Sequence, residues 1–426
     1  MGRASRVPLS LAIAVAVVCG CALGSDAGAE PRGATRMPAV SQLPGAISPA
    51  RLHAHLVAFQ RIADRNGRTR AAGTAGYAAS VRYVRDALRR AGYAPRVSPF
   101  PFVEYRELVE RGRQISPRSR PLRVEAIDYS PSTPAAGLRA RVVPSGDGCD
   151  ASDFRGVRGR IALAQRGTCF IFVKAQNAAR AGAAALVVYT TEPGPIDATL
   201  GDPNASTIPV VAIKASVASS LGRGAILSLR VTTRKRASTS QNVLADTRPG
   251  ARRVLLVGAH LDSVVAGPGI NDNATGVAAL LEIARRVRTV EPRLAVRFAF
   301  WGAEELGLIG SRAYAGTVPA QGLAGYLNFD MLGSRERLRG VYAGPYAARW
   351  LRYFRQKRLR AEVVDLAGRS DHAPFQERGV PTGGLFAGGD ACYHEACDRL
   401  ARVDRRLFEE LARAAAFGVA AFAPTS

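Results

Sequence analysis

VGAHLDSVVAGPGINDNATG, residues 257–276, follows directly on the apolar residues Val254, Leu255 and Leu256. An unbroken apolar run of this length reads as a short strand buried on both faces, the kind a parallel sheet contains. Gly258 is expected to let the backbone turn as His260 leaves the sheet. An imidazole at a strand end needs its second nitrogen oriented, and Asp262 on the same edge is placed to accept that N–H. Gly267, Pro268 and Gly269 are turn residues, and 274–287 has helical periodicity. Asp272 therefore falls just before a helix N-terminus, where the macrodipole favours its charge. Capping uses the same residue types, so this stretch alone reads two ways: half of a two-metal site, or an N-cap beside a loop histidine.

Downstream the pattern repeats. The strand 294–301 ends in Gly302-Ala303-Glu304-Glu305, and adjacent glutamates at a strand-to-helix junction point in different directions. One can bind metal while its neighbour handles protons. Residues 326–331 read as a buried strand with one acid, Asp330, which must be paired or ligated because desolvating it costs several kcal/mol. Near the end, Cys392 and Cys397 flank Tyr393 and His394, and a bridge between them would hold that loop rigid. His260, Asp272, Glu304, Glu305, Asp330 and His394 can thus meet at one sheet edge, where open α/β sheets bind ligands. Such a nitrogen and oxygen set suits zinc, with manganese or cobalt as substitutes. Asp272 could bridge two ions roughly 3.5–4 Å apart.

At 426 residues the chain has room for two domains. Its net charge of +25 is spread along the chain as arginine, with no nucleic-acid motif and no basic aromatic platform. Nucleic acid is therefore set aside as a partner, while anionic envelopes or acidic peptides remain attractive to such a surface. Arg3 and Arg6 precede the apolar run 9–18, the layout of an export signal too short to span a bilayer. Cleavage after Ala29 and cleavage before Cys21 are both open; the second would leave a lipid-anchored Cys21, through which alone a membrane anchor is expected. The expected location is secreted or periplasmic. Cys149, Cys169, Cys392 and Cys397 suggest a local bridge within each pair. Residues 30–48 read as a linker or pro-segment, and 50–62 and 76–91 as amphipathic helices. His53 and His55, on different faces of the first helix, read as surface or packing residues. Residues 242–246 and 253–258, joined through Pro249-Gly250, suggest a hairpin.

The residues 148–189, GCDASDFRGVRGRIALAQRGTCFIFVKAQNAARAGAAALVVY, resemble a protease-associated (PA) domain, a β-rich insert of exported peptidases, in which Cys149 and Cys169 match positions often bridged. GAHLDSV, GINDNATG, FWGAEELGLIGS, NFDML, GRSDHAPF and CYHEACD, in that order, resemble the di-zinc aminopeptidases of metallopeptidase family twenty-eight. The resemblance implies a mixed central sheet sandwiched by helices. It implies one Zn2+ on His260 and Asp330 and another on Glu305 and His394, with Asp272 bridging. Asp262 would orient His260, and Glu304 would be the general base that returns its proton to the leaving amine. Tyr393 would donate to the oxyanion and Arg369 would contact substrate, a peptide with a free N-terminus. The peptide bond after Asp272 is expected to be cis, as is common in such sites. The implied domains are a signal (1–29), the linker (30–48), two peptidase segments (49–112 and 239–426) and the PA domain between them (113–238).

The segment 383–391 reaches CYH quickly, which leaves side-chain preference open. Exposed acidic loops leave room for calcium as a further ion. A carboxypeptidase or dipeptidase on the same scaffold would need a cationic pocket, which Arg369 could supply. A glutaminyl cyclase should not need the complete two-metal set, and a non-catalytic, receptor-like relative should have lost ligands that are all present here.

Overall fold

The computed structural model describes residues 40–190, 198–221, 224–290 and 292–423. The export signal, Cys21 and Ala29 lie outside them. Within the segment 30–48, expected to be a linker or pro-segment, Leu43 and Ile47 are buried in the main core, so the chain is already folded there. Helix α1 (Pro49–Arg65) buries Leu52, Leu56, Phe59 and Ala63, one stripe at helical spacing. Helix α2 (Ala75–Arg90) begins where Thr74 Oγ1 accepts the N–H of Tyr77. His55 on α1 packs as expected, its Nδ1 2.7 Å from the Tyr83 hydroxyl.

Next comes a feature that periodicity did not announce. Strand β1 (Arg96–Ser116) pairs antiparallel, from Arg96 opposite Leu244 to Ser116 opposite Ile226, with a strand equally long. Between them lie β2 (Arg120–Leu122), β3 (Glu125–Ala126), β4 (Leu138–Pro144), β5 (Ile161–Gln165), α3 (Ile171–Arg180), β6 (Ala185–Thr190), β7 (Val210–Lys214) and α4 (Ala215–Ser219). Strands β4 to β7 are mutually parallel, with α3 crossing from β5 to β6. They match the strands read at 138–143, 160–164, 185–189 and 210–213. Their two faces bury separate apolar clusters around Phe154 and Leu186 and around Ile161 and Leu227. The Cys149–Cys169 disulfide is formed.

The long return strand is β8 (Ile226–Asp246); after it come β9 (Val254–His260), α5 (Thr275–Val287), β10 (Ala295–Trp301), α6 (Ile309–Thr317) and β11 (Leu323–Asp330). The chain then forms β12 (Gly340–Tyr342), α7 (Ala347–Gln356), β13 (Glu362–Val364), α8 (Ala373–Gln376), β14 (Thr382–Phe386) and α9 (Arg405–Phe422). The sheet order is β13-β12-β14-β11-β9-β10-β8, continuing through β4 into the inserted strands. Strands β14, β11, β9 and β10 run parallel. The hairpin expected from 242–246 and 253–258 does not form: β10 lies between them, antiparallel to β8 and parallel to β9. All of β9 is buried, so it needs a paired strand on both edges, and the crossover through α5 supplies one.

Register then does the work of placement. Trp301 is level with His260, Asn328 with Gly258, and Asp330 with Phe386. The carboxyl ends of four adjacent parallel strands therefore finish in one row, and the candidate ligands start from it.

Candidate metal centre

His260 ends β9, and the next N–H, Leu261, donates to the Trp301 carbonyl at 2.7 Å, tying the two strand ends together. The 261–274 loop follows. At Gly269 (φ 59°) a β-carbon would lie 2.2 Å from the Asp272 carbonyl and 2.5 Å from Ser263 Cβ, so only glycine fits. The Asp272–Asn273 peptide is cis. Asn273 does the local holding: Oδ1 accepts from the N–H groups of Gly276 (2.9 Å) and Met331 (3.2 Å), and Nδ2 donates to the Phe329 carbonyl (2.9 Å). The Asp272 side chain is left to face the histidines, while the Asn273 side chain makes the cap-type bond to the Gly276 N–H at the start of the next helix.

Its two oxygens divide between two imidazoles. Asp272 Oδ1 lies 3.0 Å from His260 Nε2, and Oδ2 lies 3.2 Å from His394 Nε2. His260 Nε2 is also 3.3 Å from Asp330 and 4.0 Å from Glu304, while His394 Nε2 is 3.0 Å from Glu305. The two adjacent glutamates thus serve different histidines. Ala303 before them, Met331 after Asp330, and His394 itself have φ of 54°, 51° and 57°. Such backbone clusters where side chains must be aimed. The Cys392–Cys397 disulfide closes the loop carrying His394, whose ring stacks on Tyr393 with centroids 3.7 Å apart.

Asp262 does not make the expected hydrogen bond to His260. It is fully buried, but its oxygens accept the backbone N–H groups of Glu304 (3.2 Å) and Glu305 (3.4 Å), and His260 Nδ1 stands 3.8 Å away, beyond hydrogen-bond distance. Arg369 lies in an exposed turn, its Nε donating to the Leu366 carbonyl at 3.2 Å.

Several supports were not singled out by sequence. Arg70, fully buried in the turn between α1 and α2, donates to the carbonyls of Leu261, Pro268 and Gly269, clamping the loop between His260 and Asp272. Asp398 accepts the N–H groups of Asn271 (2.8 Å) and Asp272 (2.9 Å). A directed chain ends on Asp330: Trp301 Nε1 donates to Tyr326 (2.9 Å), whose hydroxyl donates to Asn328 Oδ1 (2.6 Å). Asn328 Nδ2 donates to Ser370 Oγ (2.7 Å), which donates to Asp330 Oδ2 (2.7 Å). The only sequence signal for these residues was a polar side chain inside or beside a buried run.

Gly258 has a different role from the expected turn. It stays within β9, and a β-carbon there would lie 2.3 Å from the Tyr326 hydroxyl and 2.5 Å from Trp301 Nε1.

The electrostatics of the cluster favour a cation. Burial pulls the His260 imidazole down, but Glu304 and Asp330 more than offset it and hold it well above its ordinary value. Burial also opposes charge on Asp272, yet His260 and His394 keep that carboxyl well below the usual range. Burial raises Glu304 far above the carboxylate range and Glu305 to about 7, against the opposing pull of His260 and His394. It also pushes Asp371 to about 8 and Asp398 to about 7. Carboxylates so displaced need more positive charge than the protein provides, which a divalent cation supplies. Glu305 Oε1 is buried with no hydrogen-bond partner, an open ligand position. Two sets of donor atoms, from His260, Asp272 and Glu305 and from His260, Glu304 and Asp330, each lie within 4.8 Å of one another. Among the described residues no other group of three such side chains does so. The all-N/O donor set fits zinc.

Comparison with known proteins agrees. Residues 242–419 match Peptidase family M28, and 138–221 match the PA domain. The chain is 36% identical to an aminopeptidase of Pseudomonas aeruginosa over 88% of its own length and 81% of that protein. It is 34% identical to the probable lipoprotein aminopeptidase LpqL of Mycobacterium tuberculosis, over 95% of this chain and 92% of that one. Among solved structures, the aminopeptidase from Aneurinibacillus sp. strain AM-1 superposes with a TM-score of 0.76 at 28% identity, covering 89% of this chain and 95% of that one. BSAP, a zinc aminopeptidase from Bacillus subtilis, gives 0.69 at 25%, covering 88% and 95%. With a strand-end cluster of this composition and relatives aligned over nearly its whole length, the chain belongs to peptidase family M28, as an aminopeptidase-type hydrolase whose PA domain is inserted before its catalytic segment.

Proposed function

We propose that this protein is an exported aminopeptidase that hydrolyses the first peptide bond after a free amino terminus with two zinc ions. One would be held by His260, Asp330 and Asp272, the other by Glu305, His394 and Asp272. The observation that carries the reading is the Asp272 carboxylate, with one oxygen toward each imidazole at 3.0 and 3.2 Å. Zinc bound there would polarise the scissile carbonyl and lower the pKa of water towards ~7.

The protein's own groups supply the rest. Glu304 is buried and inclined to hold a proton, which suits a base that takes one from the attacking water and passes it to the leaving amine. Asp262 orients both glutamates through their backbone N–H groups. Tyr393, part exposed beside His394, would donate to the developing oxyanion, and Arg369 would meet the substrate near its amino end. The division at about residues 113 and 238 assigns 226–238 of β8 to the PA domain but only 113–116 of β1. Export is supported by the leader pattern, by the two disulfides, and by the likeness to a probable lipoprotein aminopeptidase.

Bound metal and hydrolysis of amino-acid anilides, blocked and unblocked, measured before and after chelation and zinc return, test this reading. About two zinc ions, with activity confined to free amino termini, are expected. Cleavage of blocked substrates, or activity that chelation leaves untouched, would overturn it.

A further inference from the structure

The β1–β8 ribbon carries a cluster that catalysis does not use. Where the ribbon joins the inserted strands, one sheet face is buried through Leu227, Leu229 and Val231. The opposite face presents Arg111 and Arg113 from β1, Arg230 from β8, and Arg139 and Arg141 from β4, all exposed. Register makes them neighbours: Arg111 lies directly opposite Arg230, and Ser228 lies between Arg113 and Arg139. Arg111, Arg113 and Arg230 line a shallow groove of about 450 Å³ together with Glu110, whose carboxylate is engaged by the Ala126 N–H.

Like charges directly opposite on paired strands destabilise a sheet. Elsewhere on the same strands three arginines are neutralised: Arg96 pairs with Asp246, and Arg106 and Arg236 with Glu104. Among the described residues none of the five has an acidic partner at ion-pair distance, and Arg113 bonds only a hydroxyl, that of Ser119 at 2.7 Å. A repulsive, unneutralised array is a cost to the fold that an anionic ligand would offset. Its form indicates which ligand. All five side chains are exposed on one sheet face, with no buried donor to enclose a single ion. Such an array matches a planar field of charge.

We propose that this face docks the protein on the phosphate headgroups of an anionic lipid leaflet. The inference is independent of the catalytic reading, and of any lipid on Cys21. Each arginine near an anionic leaflet contributes roughly fivefold in partitioning, so losing three should weaken binding about 100-fold. The test is flotation of the full chain, carrying Cys21→Ser to remove any anchor, with vesicles of phosphatidylglycerol or of phosphatidylcholine. The expected result is salt-sensitive binding to phosphatidylglycerol alone. Binding should fall about 100-fold in Arg111→Gln/Arg139→Gln/Arg230→Gln, and only a few-fold in Arg61→Gln/Arg65→Gln/Arg358→Gln, which removes equal charge elsewhere. The first triple variant should melt no lower than the parent, because a like-charge pair is relieved. Equal losses in both variants, equal binding to both vesicles, or binding to polyglutamate with none to vesicles would each overturn the proposal.

Discussion

The indole N–H of Trp301 donates to the Tyr326 hydroxyl at 2.9 Å across a space that exists because residue 258 lacks a β-carbon. Gly258→Ala would put a methyl group 2.3 Å from that hydroxyl, breaking the bond or displacing both rings. The expected cost is about 1–3 kcal/mol, since the core here is closely packed and the polar groups would lose their partners. The urea midpoint should fall with unchanged slope. An unchanged midpoint would mean the rings have room to move.

Ser370 is the last donor to Asp330 and the acceptor for Asn328. Removing a partner that orients a ligating carboxylate typically weakens metal binding 10–100-fold. Ser370→Ala should therefore release zinc to a competing chelator at correspondingly lower concentration, and Ser370→Thr, which restores the hydroxyl, should recover much of the loss. Equal zinc affinity in all three proteins would show that Asp330 needs no such support.

Glu304 is assigned proton transfer, and Glu305 metal binding. Glu304→Gln is then expected to retain its zinc while losing about 10²–10⁴-fold in turnover. The zinc content of the purified variant and its kcat are the measurements. Full activity would remove Glu304 from the chemistry, and lost zinc would make it a ligand.

A pH response arises far from the metal. Burial, aided by Arg51, Arg90 and Arg285 and opposed by Glu282, holds the His55 imidazole down at about 4. Between that value and the unfolded value of about 6.5, the unfolded chain binds more protons than the folded one. The stabilisation is thus fully present above about pH 6.5 and fades as the pH falls toward 4, by about 3 kcal/mol. Protonation would also end any acceptor role of Nδ1 toward the Tyr83 hydroxyl. Thermal midpoints measured between pH 7 and 4.5 should fall less steeply in His55→Gln; parallel curves would assign the acid sensitivity to other groups.

By itself the sequence determined which residues could carry chemistry and where in their elements they stand. His260, Glu304, Glu305 and Asp330 each end an apolar run, and a buried strand that ends in an ionisable side chain must deliver it to a ligand or a partner. The disulfide pairs were legible for a similar reason, since each pair is close along the chain. The tertiary structure alone decided who stands beside whom. Hydrophobic periodicity reports which face of a strand is buried, and says nothing of which strand lies at its edge. For that reason the insertion of β10 between β8 and β9, and the 21-residue ribbon of β1 against β8, were not visible in advance. The same holds for Arg70 and Ser370, which meet the site from 191 and 40 residues away along the chain. Their partners are backbone and side-chain atoms that become neighbours only when the sheet has assembled, so no local pattern could mark them.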